Sequence, residues 1–394
     1  MKKVKSITVI AGDYPAPGHM MLVFVQQLVH ALIAEGVKVN VIATQSLVHA
    51  LVHREKLLPY HSKAMTESGI EYDVYRPFIL SFGNKNYFKR LTSLFNRHTI
   101  ETLLKDINGD VLYAHFWENA LPIYRYALNT ATPMFVACGE GDNALEDMIA
   151  KMPQKELKYL AKACTGVVSV SSENKRKCVA FNLARAEDID VLPNCVNTNM
   201  FHKMDVTDVK HQLGIKEDDF VISFVGGFEK RKGPDRLANA IRNLNDPKIK
   251  VIFIGKPFKG YPFDFDCPGI IHKGPLNHEL IPKYINCSDV FVMPTQKEGC
   301  CNAIVEALAI GKPVISANRP FNDDILNDRN SIRINPDDVN AITEAIRILR
   351  DDKGLRQSMT EYSLSHHDEY TIEVRAKHIL DFINKQINNL YVRK

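Results

Sequence analysis

The chain has 394 residues, 45% of them hydrophobic and 24% charged, with 50 Lys and Arg against 46 Asp and Glu for a net charge of +4. That length supports two or three cores of ordinary size, and a composition near the globular average excludes wholesale disorder and fibrous repeats. The mild basicity is far from the dense cationic surface of a nucleic-acid binder, so no nucleic-acid partner is expected.

The chain opens MKKVKSITVIAGDYPAPG. Its apolar run is too short for a signal peptide, and Asp13 with two prolines stands where a cleavage site would be, so residues 6–11 read as a first strand. No apolar run reaches the ~18 residues of a membrane-spanning helix. The expected location is cytoplasmic, which the eight cysteines, read as reduced thiols, support. The loop from Gly12 to Gly18 is followed by Leu22, Val25, Leu28, Val29 and Leu32 at helical spacing, closed by Gly36 as a C-cap. VKVNVIA then returns as a strand, which makes a βαβ opening and favours a parallel sheet with helices on both faces.

Residues 82–98 carry Lys85, Lys89, Arg90 and Arg97 with no acid, interleaved with Phe82, Tyr87, Phe88 and Phe95. Such a segment suits contact with a membrane surface or a lipid acceptor; it equally suits a basic helix packing its rings into the core. DVLYAHF (110–116), PMFVACG (133–139), TGVVSVS (165–171) and DIDVLPNCV (188–196) read as further strands. Periodicity lapses from Asn197 to about Asp208, a domain boundary. A second alternating series follows, with strands in DFVISFVGGF (219–228), KVIFIG (250–255), DVFVMP (289–294) and KPVISA (312–317), and helices at 234–244 and 302–311.

The expected fold class is therefore α/β, with two doubly wound Rossmann-like domains facing across a cleft. Ligands of such sheets bind outside the carboxyl ends of the strands. The first domain spans 1–200, and the chain ends in a helix at about 371–394. The second spans 206–370. Eight cysteines show no CxxC spacing and read as reduced thiols. No metal cluster and no phosphate loop of the GxxxxGK[ST] type appears, so neither metal nor cofactor is expected.

Two segments carry chemistry. In DVFVMPTQKEGCCNAIVEALAIGKPVI (289–315), Glu298 follows a strand and Glu306 lies inside the next helix. Gly299, Cys300, Cys301 and Asn302 form the helix N-terminus, where backbone N–H groups and the helix dipole favour phosphate. In FVGGFEKRKGPDRLANAI (224–241), a strand enters a Gly226–Gly227 turn, and Arg231 and Lys232 stand ahead of Gly233 and the helix-starting Pro234. Cations at that strand end suit a diphosphate.

Together, Glu298-x7-Glu306, the GGFEKRKG turn, VLPNCVNTNMF (191–201) and SDVFVMP resemble the retaining glycosyltransferases of family 4, which have the GT-B fold. The resemblance covers nearly the whole chain, and it implies that the C-terminal helix at about 371–394 completes the first domain. It implies a nucleotide-sugar donor (UDP-, GDP- or ADP-linked) bound by the C-terminal half, with Glu306 on the ribose hydroxyls, Glu298 on the transferred sugar and Lys232 on the diphosphate. Family members often carry Arg after the first Gly of the turn. Here Gly227 stands there, and Arg231 is the candidate second cation. The resemblance also implies that the N-terminal half binds a glycan or lipid-linked acceptor, with His115 reaching the sugar. Glu140 and Asp142 are candidates for acceptor recognition or for taking its proton, and Gly18 for close backbone approach to substrate. The implied setting is cell-surface polysaccharide or glycolipid synthesis by a metal-independent hexosyltransferase. Another GT-B enzyme such as a nucleotide-sugar epimerase, and a non-catalytic sugar-binding or assembly subunit, remain open alternatives.

Overall fold

The β-branched runs pair into two largely parallel sheets, each covered on both faces by the intervening helices. The computed structural model describes residues 3–17, 21–54, 56–80, 89–141, 143–257, 260 and 262–392. Gly18, Asp142 and residues 82–88, with Phe82, Lys85, Tyr87 and Phe88, lie outside the described residues.

The chain divides into two compact units, 1–192 with 375–394, and 193–374. In the first, the strands are β1 (Ser6–Ala11), β2 (Lys38–Ala43), β3 (Gln45–Ser46), β4 (His61–Met65), β5 (Glu71–Tyr75), β6 (Phe78–Ile79), β7 (Val111–His115), β8 (Met134–Cys138), β9 (Cys164–Ser169) and β10 (Ile189–Val191). Eight of them form one sheet in the order β10-β9-β8-β7-β1-β2-β5-β4, and β3 pairs separately with β6. Among the described residues only β4 runs antiparallel to its neighbour. The central strands read as unbroken apolar runs because both faces are covered: every residue of β7 and β8 is buried.

The second unit contains β11 (Phe220–Val225), β12 (Ile249–Ile254), β13 (Ile270–Gly274), β14 (Val290–Met293), β15 (Val314–Ala317) and β16 (Ser331–Ile334), ordered β13-β12-β11-β14-β15-β16. The chain leaves β11 toward one edge and returns at β14 toward the other. Their carboxyl ends therefore flank the switch point, where doubly wound sheets bind ligands. The two sequence-derived segments follow β11 and β14.

Residues 193–200, which the sequence reading assigns to the first domain, group with the second unit. Val196 N–H donates to Tyr370 O at 2.8 Å, Ile372 N–H to Val196 O at 3.1 Å, and Phe201 enters the second core. The C-terminal helix Ile372–Val392 packs largely on the first unit, with Phe382 edge-on to Phe135 at 6.0 Å and the Asn384 carboxamide accepting from Val4 N–H at 2.9 Å.

Candidate functional site

Glycines shape the turn after β11 and the end of the neighbouring β12. Gly226 N–H donates to Ile254 O at 2.9 Å, and at Gly255 a Cβ would stand 1.9 Å from Gly226 O. Gly233 has a φ of +77° as N-cap of the helix Pro234–Leu244, and a Cβ there would meet the Arg236 guanidinium at 2.4 Å. Arg236 is 8% exposed. Its Nη1 donates to Lys230 O at 2.7 Å, and its Nη2 to Arg231 O at 3.2 Å and Pro294 O at 2.7 Å. One guanidinium thus ties the turn after β11 to the end of β14. Without it the two basic side chains would hang on a mobile loop.

Arg231 and Lys232 converge on Glu298. The Glu298 Oε1 atom accepts from Arg231 Nη1 at 2.9 Å, from Lys232 Nζ at 2.5 Å and from Thr295 Oγ1 at 2.8 Å. Arg231 also reaches Glu229 Oε1 with Nη2 at 2.7 Å. Burial disfavours the Lys232 ammonium, but Cys301 and Glu298 outweigh it and raise its pKa above the ordinary value. With two cations against Glu229 and Glu298 the cluster is formally neutral, so a diphosphate arriving here must take cation contacts from carboxylates. Those side chains are preorganised rather than solvated, which favours charge recognition.

Glu306 differs from Glu298. It lies on the helix Asn302–Ile310, whose apolar residues Ile304, Val305, Ala307 and Leu308 enter the core. Burial alone pushes its carboxyl up to about 7. A carboxylate held this way gains most from hydroxyl donors, such as the paired hydroxyls of a ribose. At the helix N-terminus Cys301 makes no side-chain cap. The Asn194 carboxamide donates to Asn302 Oδ1 at 2.8 Å and to Cys300 O at 3.4 Å, so the Pro-Asn-Cys stretch braces the loop that carries Gly299, Cys300 and Cys301.

In the first unit, His115 ends β7 and Glu140 lies two residues past β8, on adjacent parallel strands. His115 is 6% exposed, ringed by Phe24 at 5.4 Å and Phe116 at 4.7 Å. Burial, reinforced by the Arg375 charge, lowers its pKa to about 3, so the imidazole is neutral. Glu140 Oε1 accepts from Trp117 N–H at 2.7 Å, at the start of the helix Trp117–Ala120, and burial raises its pKa. His115 Nδ1, Glu140 Oε2 and Trp117 Nε1 are all buried without a hydrogen-bond partner. Between His115 and Trp117, Phe116 holds a φ of +80°, a strained conformation of the kind that clusters at functional sites.

The structure brings together Arg231, Lys232 and Glu298, and places His115 and Glu140 near the ends of adjacent strands. Gly227 supplies no side chain to the cluster. Thr295 and Arg236 were not singled out from sequence. Thr295 is fully buried three residues before Glu298, and Arg236 looks like one more charged position on an amphipathic helix.

Residues 205–366 match the family model for glycosyl transferases group 1. A putative teichuronic acid biosynthesis glycosyltransferase of Bacillus subtilis is 25% identical over 284 residues, which span 69% of this chain and 70% of that one. The UDP-Gal:alpha-D-GlcNAc-diphosphoundecaprenol alpha-1,3-galactosyltransferase of Escherichia coli is 26% identical over 288 residues, 69% of this chain and 73% of the relative. A glycosyltransferase structure from Rickettsia africae superposes with a TM-score of 0.74 over 98% of this chain and 99% of that one, at 15% identity. The chain is a glycosyltransferase of the GT-B fold, and its residues 205–366 are similar to the group 1 glycosyl transferases.

Proposed function

We propose that this glycosyltransferase transfers a hexose with retention of anomeric configuration, without a metal, from a nucleoside-diphosphate sugar to a glycan or lipid-linked acceptor in cell-surface polysaccharide synthesis. The observation that carries the reading is the Arg231–Lys232–Glu298 cluster at the switch point of the second sheet, with the desolvated Glu306 on the following helix. Glu306 takes the ribose hydroxyls. Lys232 and Arg231 take the diphosphate, with the helix N-terminus at Gly299–Asn302 adding its dipole. Glu298 exchanges its cation contacts for hydroxyls of the sugar. The named roles of the two relatives, in teichuronic acid and lipid-linked galactose transfer, support the setting.

In the transfer, the bond between the anomeric carbon and the β-phosphate oxygen breaks, and the sugar gains oxocarbenium character. The two cations hold the charge that develops on the departing diphosphate. The acceptor oxygen bonds to the anomeric carbon on the face just vacated, and its proton passes to the departing phosphate. No protein base is then required. Acceptor recognition falls to the first unit at His115 and Glu140, where unpartnered buried atoms await hydrogen bonds. Gly18 and Asp142 belong to the same proposal on sequence alone.

Incubation with UDP-, GDP- and ADP-hexoses and a polyprenyl-diphosphate sugar acceptor, read by proton NMR of the product, tests this. A product whose anomeric proton keeps the donor's orientation, equatorial where the nucleotide leaves from an axial position, with activity kept in EDTA, is the expected result. Inversion would refute retention, and loss of activity in EDTA would refute metal independence. Free nucleotide without a glycoside product would favour the epimerase alternative, and binding without turnover the non-catalytic one.

A second observation supports peripheral membrane contact through residues 82–98. Leu91, Leu94 and Phe95, on the helix Lys89–Ile107, are 65%, 44% and 45% exposed. Phe95 therefore does not pack into the core. Among the described residues no helix is long and apolar enough to cross a membrane. Co-sedimentation with phosphatidylglycerol vesicles should fall in a Leu91→Ser, Phe95→Ser variant; unchanged co-sedimentation would remove this contact from the account.

A further inference from the structure

The second unit carries a concentration of positive charge at the amino ends of its strands, the opposite end of the sheet from the donor cluster. A cavity of about 470 Å³ opens beside the residues that lead into β14 and β15, Asp289 and Lys312. Lys203, Lys210, Lys312, Lys353 and Arg356 line it, against two acids. Both acids already serve backbone: Asp289 accepts from Val221 N–H at 2.7 Å, and Asp205 from Thr207 N–H at 3.0 Å.

The cations are less satisfied. Lys312 Nζ donates to Asn286 O at 2.9 Å and Ser288 O at 2.6 Å, which leaves one of its three N–H groups. Burial lowers its pKa to about 8 against the opposing pull of the Asp289 carboxylate, and Lys210 and Lys203 add smaller repulsions. Arg356 is fixed by Arg350 O at 2.8 Å and by the Phe220 ring at 5.3 Å. Among the described residues, no carboxylate pairs with Lys203, Lys210 or Lys353. Like charges gathered around a cavity with their counterions turned to other work favour an anion between them.

We propose that this cavity is a second anion site, for a phosphate group carried on a small body, separate from the donor site. The volume decides the body. It lies within the range of small-molecule pockets, about 300–1,000 Å³, and far exceeds a bare phosphate. Fixed Lys312 and Arg356 would set the phosphate, and the exposed Lys203, Lys210 and Lys353 would add their charges around it. The same chemistry is offered by a soluble sugar phosphate and by a phospholipid headgroup.

Isothermal titration of the full chain separates this site from the donor site when Lys232→Ala is the starting variant. The probes are inorganic pyrophosphate and glucose 1-phosphate, with co-sedimentation on phosphatidylglycerol vesicles alongside. The Lys232→Ala chain should bind a soluble probe or the vesicles. Adding Lys210→Ala and Lys353→Ala should weaken that binding at least tenfold, with Lys210→Arg, Lys353→Arg restoring it. Weakening confined to the soluble probes identifies a soluble phosphate, and weakening confined to the vesicles a lipid headgroup. Because both substituted lysines are exposed, an unchanged circular dichroism spectrum is expected and checks the fold. Absence of binding by Lys232→Ala, or binding indifferent to Lys210 and Lys353, would overturn the proposal.

Discussion

Glu306→Gln should stabilise the empty protein at neutral pH while weakening its nucleotide binding. Burial raises the Glu306 carboxyl from 4.5 to about 7. A carboxyl with a raised folded-state pKa holds its proton more tightly in the folded chain. Below about pH 4.5 both states are protonated and stability is unaffected; as pH climbs toward 7 the folded state loses ground, and above 7 the full cost is present. At about 1.4 kcal/mol per tenfold change in proton affinity, the cost approaches ~3 kcal/mol, and partial solvent access reduces it to about 1–3 kcal/mol. The isosteric amide removes that cost. Urea unfolding of the second unit at pH 5 and pH 8 should show Glu306→Gln close to wild type at pH 5 and more stable at pH 8. With the matching nucleotide present the order should reverse, because hydrogen bonds from ribose hydroxyls to a charged carboxylate contribute about 1.5–3 kcal/mol. A Glu306→Gln protein less stable than wild type at pH 8, or a difference that ignores pH, would refute the reasoning.

Glu298→Gln should leave nucleoside diphosphate affinity unchanged or tighter, since Lys232 and Arg231 lose their internal counterion, while transfer falls at least about tenfold in kcat; titration calorimetry and initial rates separate the two. Arg236→Met leaves the carbonyls of Lys230, Arg231 and Pro294 without their donor, so urea unfolding should show about 2–4 kcal/mol lost, with nucleotide affinity falling alongside. Gly233→Ala should cost about 1–2 kcal/mol for the left-handed backbone alone, and more because the Cβ meets Arg236; thermal denaturation reads it. His115, with its pKa lowered to about 3, should show no titration of its ring protons by NMR between pH 5 and 8. Its sign is opposite to that of Glu306: the unfolded chain gains a proton below about 6.5 that the folded chain refuses, so the first unit loses stability as pH falls from there.

The sequence made the architecture legible where both faces of a strand are buried. Unbroken runs such as VLYAH and MFVAC can only be interior strands of a parallel sheet, and their spacing by helices set the doubly wound pattern. The edge strands β4 and β13 were not legible: β4, HSKAM, exposes alternate residues, and β13, IIHKG, is only partly buried. The domain boundary was placed late because Val196 pairs with Thr371 across 175 residues of chain, and no local pattern reports so distant a partner. The basic turn and the two glutamates stood out because strand, glycine and helix start surround them. That Arg231 and Lys232 share one Glu298 oxygen was not legible, since it depends on how two loops approach at the switch point. Arg236 was hidden for a related reason: its three partners are backbone carbonyls, which carry no signature in side-chain identity. The burial of His115 depends on Phe24, ninety-one positions away.

The central claim is that the second unit binds a nucleoside diphosphate through Lys232 and Glu306. Titration calorimetry of the wild-type chain with UDP, GDP, ADP and CDP tests it most directly, with Lys232→Ala and Glu306→Ala measured beside it. One diphosphate should bind the wild type, and each variant should lose at least about tenfold, the equivalent of one charge-assisted hydrogen bond, with its circular dichroism unchanged. Absence of binding by all four, or variants that bind as the wild type does, would contradict the account.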